Sequence, residues 1–101
     1  EELDIAITVD RLEKATTMEV GRIIRSWAGL RSFVSDGVPV VGFDPDIEGY
    51  FWCAGQGGYG IETSAGLSRA AAALARGEAL PRDIADLGVT PADLGPERLW
   101  S

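Results

Sequence analysis

The stretch Phe51-Trp52-Cys53-Ala54-Gly55-Gln56-Gly57-Gly58-Tyr59-Gly60-Ile61 decides how this chain is read. Tyr50 to Ala54 form a compact apolar and aromatic run, the length of a buried strand. Gly55, Gly57 and Gly60 then satisfy the spacing G-x-G-x-x-G, and residues 61–76 are Ala-rich and helix-prone. Strand, glycine loop and helix in that order form the local signature of a dinucleotide site. The full signature needs a second, parallel strand after the helix, with an acid near its end to hold a ribose. Glu78 stands about 20 residues on, as that rule asks, but no β-branched strand surrounds it, and Pro81 and a polar tail follow. The complete nucleotide-binding unit is therefore not expected. A narrower reading survives: glycines ahead of a helix let backbone come close to a ligand. The unpaired N–H groups there favour negative charge by about 0.3–1 kcal/mol. A tight strand-to-helix turn with no ligand uses the same residues equally well.

Upstream, residues 2–16 read as a helix: Leu3, Ile5, Ala6, Val9, Leu12 and Ala15 recur at steps of three and four, and Asp10 with Lys14 makes an i,i+4 pair. Thr16 and Thr17 end it. Residues 18–34 turn to an extended pattern, with Gly21 and Gly29 suggesting bulges. Ser35-Asp36-Gly37 is a turn, residues 38–43 a second strand with Pro39 at its start or edge, and residues 44–49 a loop. Downstream, Gly77 is placed to stop the helix, and residues 78–101, with Pro81, Pro91 and Pro96, read as a tail of short helical turns. These strands carry Ile23, Ile24, Val40, Val41, Phe51 and Trp52, more apolar surface than one layer of two helices covers.

Composition excludes several functions. The 101 residues make at most one domain, with a net charge of −7. Lys14 is the sole lysine, which argues against a nucleic-acid surface. Histidine is absent, removing the commonest general base and metal ligand. Cys53 stands alone, so neither an internal disulfide nor a cysteine zinc site can form. A lone thiol fits a reducing compartment, and a cytoplasmic setting is expected. No apolar run approaches the length of a membrane span. A chain that opens Glu1-Glu2-Leu3-Asp4, without an initiator Met, reads as cut, processed or truncated.

Two motifs and the strands between them carry a resemblance. Ser26-Trp27-Ala28-Gly29-Leu30-Arg31-Ser32-Phe33-Val34-Ser35-Asp36-Gly37, followed by residues 38–42 and then by residues 51–61, resembles the C-terminal part of the D-amino-acid oxidase superfamily. These are FAD-dependent amine and amino-acid oxidoreductases. The wording of both motifs is most similar to D-arginine dehydrogenase-like and D-amino-acid dehydrogenase enzymes, over roughly residues 3 to 100. The resemblance implies an α+β C-terminal segment of a two-domain flavoenzyme. Residues 1–36 would be the end of a mixed-sheet substrate domain, a helix plus a strand. Residues 37–77 would be return strands, glycine loop and helix of a Rossmann-like FAD domain, and 78–101 a C-terminal tail. The cofactor would be FAD and the substrate a D-amino acid, oxidised at its Cα–N bond. The superfamily's N-terminal FAD-binding portion, with its adenine and pyrophosphate fingerprint, would be the partner this chain lacks. The isolated chain is then expected to be inactive.

The resemblance also implies roles for residues. Arg31 would bind the substrate carboxylate, a task its planar fork suits; the alternative is a structural ion pair with one of the 16 acids. Gln56, Gly57, Gly58, Tyr59, Gly60, Ile61 and Glu62 would pass the flavin, their amides facing its pyrimidine edge. Tyr59 would reach the substrate pocket or serve as a core or rim aromatic; Gln56 would support the loop or simply turn the chain. Glu62 departs from expectation, because a carboxylate there opposes negative charge on a reduced flavin. Trp27, Phe33, Phe51 and Trp52 read as core, and Cys53 as a small buried hydrophobe. No residue reads as a catalytic base. The competing function is a non-catalytic interaction module built on the same scaffold.

Overall fold

In the computed structural model, residues 1–100 are described, and the chain divides into two compact units, Glu1–Leu30 and a second beginning at Arg31. In the first unit, the three-and-four spacing of apolar residues forms helix α1 (Glu2–Ala15). Lys14 Nζ donates to Asp10 Oδ2 at 2.8 Å, the expected i,i+4 pair. Thr16 ends the helix in extended backbone, and its hydroxyl donates to the Leu12 carbonyl at 2.8 Å. None of α1 is fully buried; Ile5 and Val9 are half-covered.

Residues 18–32 correct the strand expectation. They form no strand. Neither Gly21 nor Gly29 has positive φ or a close neighbour, so no bulge forms there. The physical reason is pairing: β structure is made by ladder hydrogen bonds, and no described strand lies beside this segment. Its apolar side chains stay outside, with Trp27 81% exposed and Ile24 and Leu30 fully so in effect.

The second unit is built on an antiparallel hairpin, β1 (Val40–Phe43) and β2 (Phe51–Ala54), in the register Val40↔Ala54 through Phe43↔Phe51. Asp44 closes its loop. Its Oδ1 accepts from the N–H groups of Asp46 and Ile47, each at 2.9 Å, and its Oδ2 accepts from the Trp52 indole N–H at 2.9 Å. Helix α2 (Gly60–Ala75) packs on β1. Gly77 stops it as expected: at φ +72° it lets the Glu78 N–H reach the Ala73 carbonyl at 2.9 Å and its own N–H reach that of Leu74 at 3.0 Å. The tail forms α3 (Arg82–Ala85), α4 (Pro91–Leu94) and a 3-10 turn (Pro96–Leu99), the short helical turns expected.

The tail does more than wrap. Val41, fully buried, and Ala70 share a core with Leu80 and Leu94, and Phe51, Leu67 and Leu74 pack against it. Arg98 locks that arrangement. Its Nε donates to Asp36 Oδ2 at 2.6 Å, Nη2 to the Val38 carbonyl at 2.7 Å, and Nη1 to the Leu94 and Gly95 carbonyls at 2.8 and 2.7 Å. The sole described sheet is two-stranded and antiparallel, so no parallel βαβ unit surrounds the glycine loop. Glu78, the residue at the ribose-acid spacing, instead pairs with Arg76 at 3.3 Å on the surface.

Hydrogen-bond donors hold four carboxylates below the usual range: Asp36 chiefly through Arg98, Asp44 through the Trp52 indole, Asp83 through Arg69, and Asp93 through the Thr90 amide. A depressed folded-state value stabilises the fold above the unfolded value, and that stability is lost as pH falls through the lower, folded one. Thermal melts followed by circular dichroism should show Tm level near neutrality and falling below about pH 4. Arg98→Ala should lower Tm at pH 7 by on the order of 5–10 °C. It should also flatten part of the acid slope, because Asp36 loses the strongest of the donors that lower it and keeps the Val38 amide. An unaltered slope in that variant would show that Arg98 is not what protects Asp36.

Candidate functional site

The glycine loop is crossed by the chain segment that carries Arg31. Phe33 and Gln56 form an antiparallel bridge, and the Gly57 N–H donates to the Ser32 carbonyl at 3.0 Å. Three contacts follow from that crossing. A Cβ on Gly55, at φ +74°, would collide with a methyl of Val34. One on Gly57, at φ +56°, would stand 2.9 Å from the Phe33 ring. One on Gly58 would stand 3.3 Å from Arg31 Nη1. Gly55 and Gly57 are thus required by the chain's own packing, whether or not a ligand is near: positive φ and a covering side chain both exclude a Cβ.

The crossing also decides which amides are free. The Gly57 N–H is taken by Ser32, and the Tyr59 N–H by the Gln56 carbonyl at 3.0 Å. The first backbone bond of α2 runs from the Thr63 N–H to the Tyr59 carbonyl at 3.0 Å. The N–H groups of Gly60, Ile61 and Glu62 precede it and have no acceptor inside the helix. That of Gly58 has no backbone acceptor among the described residues. Of the loop amides expected to face a ligand, Gly58, Gly60, Ile61 and Glu62 remain.

Arg31 is exposed and lies at that same end. The described ion pairs join the N-terminus to Asp4, Lys14 to Asp10, Arg69 to Asp83, Arg76 to Glu78 and Arg98 to Asp36. Arg31 is in none of them, so the alternative of a structural ion pair finds no partner among the described residues. Tyr59 is more than half exposed and Ile61 almost fully so; neither is core. Gln56 is half-buried, and its Nε2 lies 3.9 Å from Cys53 Sγ. Glu62 sits exposed in the first turn of α2, where an acid favours the helix for its own sake.

Two sequence readings need correction. Cys53 is exposed rather than buried, because α2, α4 and the 3-10 turn pack on β1, burying Val41 opposite, and leave this part of β2 uncovered. Phe33 and Trp27 are not core: Phe33 is 68% exposed, with its ring against Gly57. Phe51 does join the core, and Trp52 is half-buried through its bond to Asp44. Sequence reasoning missed Ser32 and Phe33 as parts of the site. The signal was present, because glycines two apart at 55 and 57 face bulky residues at 34 and 33.

A donor set of one guanidinium and four helix-end amides suits an anionic ligand edge or carboxylate. Residues 3–74 match the DAO family, described as FAD dependent oxidoreductase. The chain belongs to that family. The match spans α1, the Arg31 segment, both strands, the glycine loop and nearly all of α2. FAD is the family's cofactor, and the free amides with Arg31 fit one polar edge of such a group. No described helix is long and apolar enough to cross a membrane. A separate cavity of about 620 Å³, lined by Phe43, Leu74, Pro91, Pro96 and Arg98, contains none of these residues.

The crossing yields a direct test. Gly57→Ala should strip protection from the Gly57 amide in hydrogen exchange, by about tenfold or more, as Phe33 is pushed aside. Gly66→Ala, in mid-α2 with open space around it, should instead stabilise the fold by about 0.5–1 kcal/mol. Equal effects from the two substitutions would mean that the loop is not packed as described.

Proposed function

We propose that this chain supplies the carboxylate-binding and flavin-facing part of an enzyme that oxidises the Cα–N bond of a D-amino acid. The observation that carries the reading is Arg31, unpaired among described residues and lying against Gly58 at the amide-bearing end of α2. Its guanidinium offers two parallel N–H donors to a carboxylate and stays charged at any working pH. Bound FAD supplies the two-electron acceptor that no side chain here provides. The amides of Gly58, Gly60, Ile61 and Glu62 offer fixed dipoles to negative charge that develops on reduction, without reorganising at that moment. Glu62 works against that charge unless its carboxylate is directed away from it. The substrate's imine product takes up water and gives a 2-oxo acid and ammonia.

The partner in this reading is a FAD-binding portion carrying the upstream nucleotide fingerprint that this chain does not contain. The exposed Ile24, Trp27 and Leu30 support such a partner, because surface of this kind is normally covered. A cytoplasmic setting belongs to the same proposal, since the thiol of Cys53 is exposed and a reducing compartment would preserve it. The same exposed surface is what favours the second reading, a non-catalytic interaction module.

Arg31→Lys in the flavin-loaded enzyme separates these readings. Lysine keeps the charge and loses the two-point fork. Loss of a charge-assisted hydrogen bond lowers kcat/KM for the amino acid by on the order of 10- to 150-fold. The matching amine, which has no carboxylate, should be affected little, and flavin content should not change. Equal losses on both substrates, or a flavin-depleted variant, would make Arg31 structural.

A further inference from the structure

Phe33 has no core to belong to, yet it occupies the one place where the Arg31 segment and the glycine loop meet. Its backbone bridges Gln56 while its ring covers Gly57. The residue before it, Ser32, accepts the Gly57 N–H, and the residue after it, Val34, covers Gly55. Arg31, two residues upstream, then falls beside Gly58. A shift of one residue in this crossing would bring a bulky side chain over a position with no room for it, and would turn Arg31 toward the opposite face.

We propose that Phe33 is a positioning residue: it fixes the register between residues 31–34 and the glycine loop, and so sets where the Arg31 fork stands relative to the amides of Gly58 and Gly60–Glu62. This rests on the reading of Arg31 given above. Phe33 touches neither substrate nor cofactor in this account. It acts through Arg31. The ring is suited to the task because a large flat group lies over the Gly57 backbone, where a Cβ would stand 2.9 Å from it. Its two side-chain torsions also leave it little freedom to lose.

The consequence for catalysis is specific. If the fork drifts by an ångström, a substrate held by its carboxylate is misplaced, whereas one without a carboxylate is not. In the flavin-loaded enzyme, Phe33→Ala should raise KM for the amino acid by on the order of 10- to 100-fold. Its kcat should change much less, and KM for the matching amine should stay within about twofold. Phe33→Tyr, which keeps the ring, should restore the amino-acid KM.

A second measurement reads the register without turnover. Phe33→Ala should lower exchange protection of the Gly57 amide by about tenfold. The pair Phe33→Ala with Gly57→Ala should be less damaged than the sum of the single variants, because removing the ring removes the clash with the new methyl. Strict additivity in that cycle, or an amine KM that rises as much as the amino-acid KM, would overturn the proposal. If Arg31→Lys fails to separate the two substrates, the reading of Arg31 falls. The exchange measurements then decide alone whether Phe33 sets the register.

Discussion

Everything proposed for this chain depends on one short crossing, in which residues 32–34 lie antiparallel across residues 55–57. It involves one backbone hydrogen bond, one bridge and two glycines that yield their side-chain space. Without it, Arg31 is an arginine on an exposed segment, and the start of α2 is an ordinary helix end. With it, a guanidinium and four unsatisfied amides share one locality. The crossing is small, but its cost is met elsewhere: β2 continues directly into the loop, and β2 is held by β1, α2 and the tail.

This division of labour explains why the glycine spacing misleads when read alone. In a dinucleotide unit, glycines admit a pyrophosphate. Here Gly55 and Gly57 admit Val34 and Phe33. The identical residue type answers the same steric demand, a backbone that something must approach, and the sequence spacing does not say whether that something is a ligand or another stretch of chain. Of Gly57 and Gly58, at the centre of the loop, Gly58 is the one whose amide has no backbone partner among the described residues, and it is also the glycine beside Arg31.

What the sequence made legible is local. Helix α1, the hairpin, α2 and the Gly77 stop all follow from periodicity, apolar runs and turn chemistry within windows of a dozen residues. What it did not make legible depends on partners far along the chain or lying outside it. Residues 18–32 have the pattern of a strand, but a strand needs a neighbour, and none is described. Cys53 reads as buried because its sequence neighbours are apolar; it is outside because the helices that cover the sheet pack chiefly on β1 and leave this part of β2 uncovered. Phe33 reads as core because it is large and apolar, whereas in the structure it covers a glycine 24 positions later. The DAO family match secures the broad chemistry, and Arg31 beside the helix end supports the finer reading of it.

The Arg98 clasp carries a consequence for the order in which the second unit can form. Its partner Asp36 lies 62 positions earlier, just after the segment that bears Arg31. Contacts of such long sequence separation are assembled late, because loop-closure entropy is spent before they return anything. During synthesis the turn at Asp36 leaves the ribosome ahead of Arg98 and waits unlatched until Arg98 has followed it. The start of this unit is therefore secured by a residue 62 positions later, and the hairpin between the two emerges before its fastening does. A nascent chain in that interval presents its apolar segment together with an unfinished sheet, the kind of surface that chaperones recognise and that aggregation exploits.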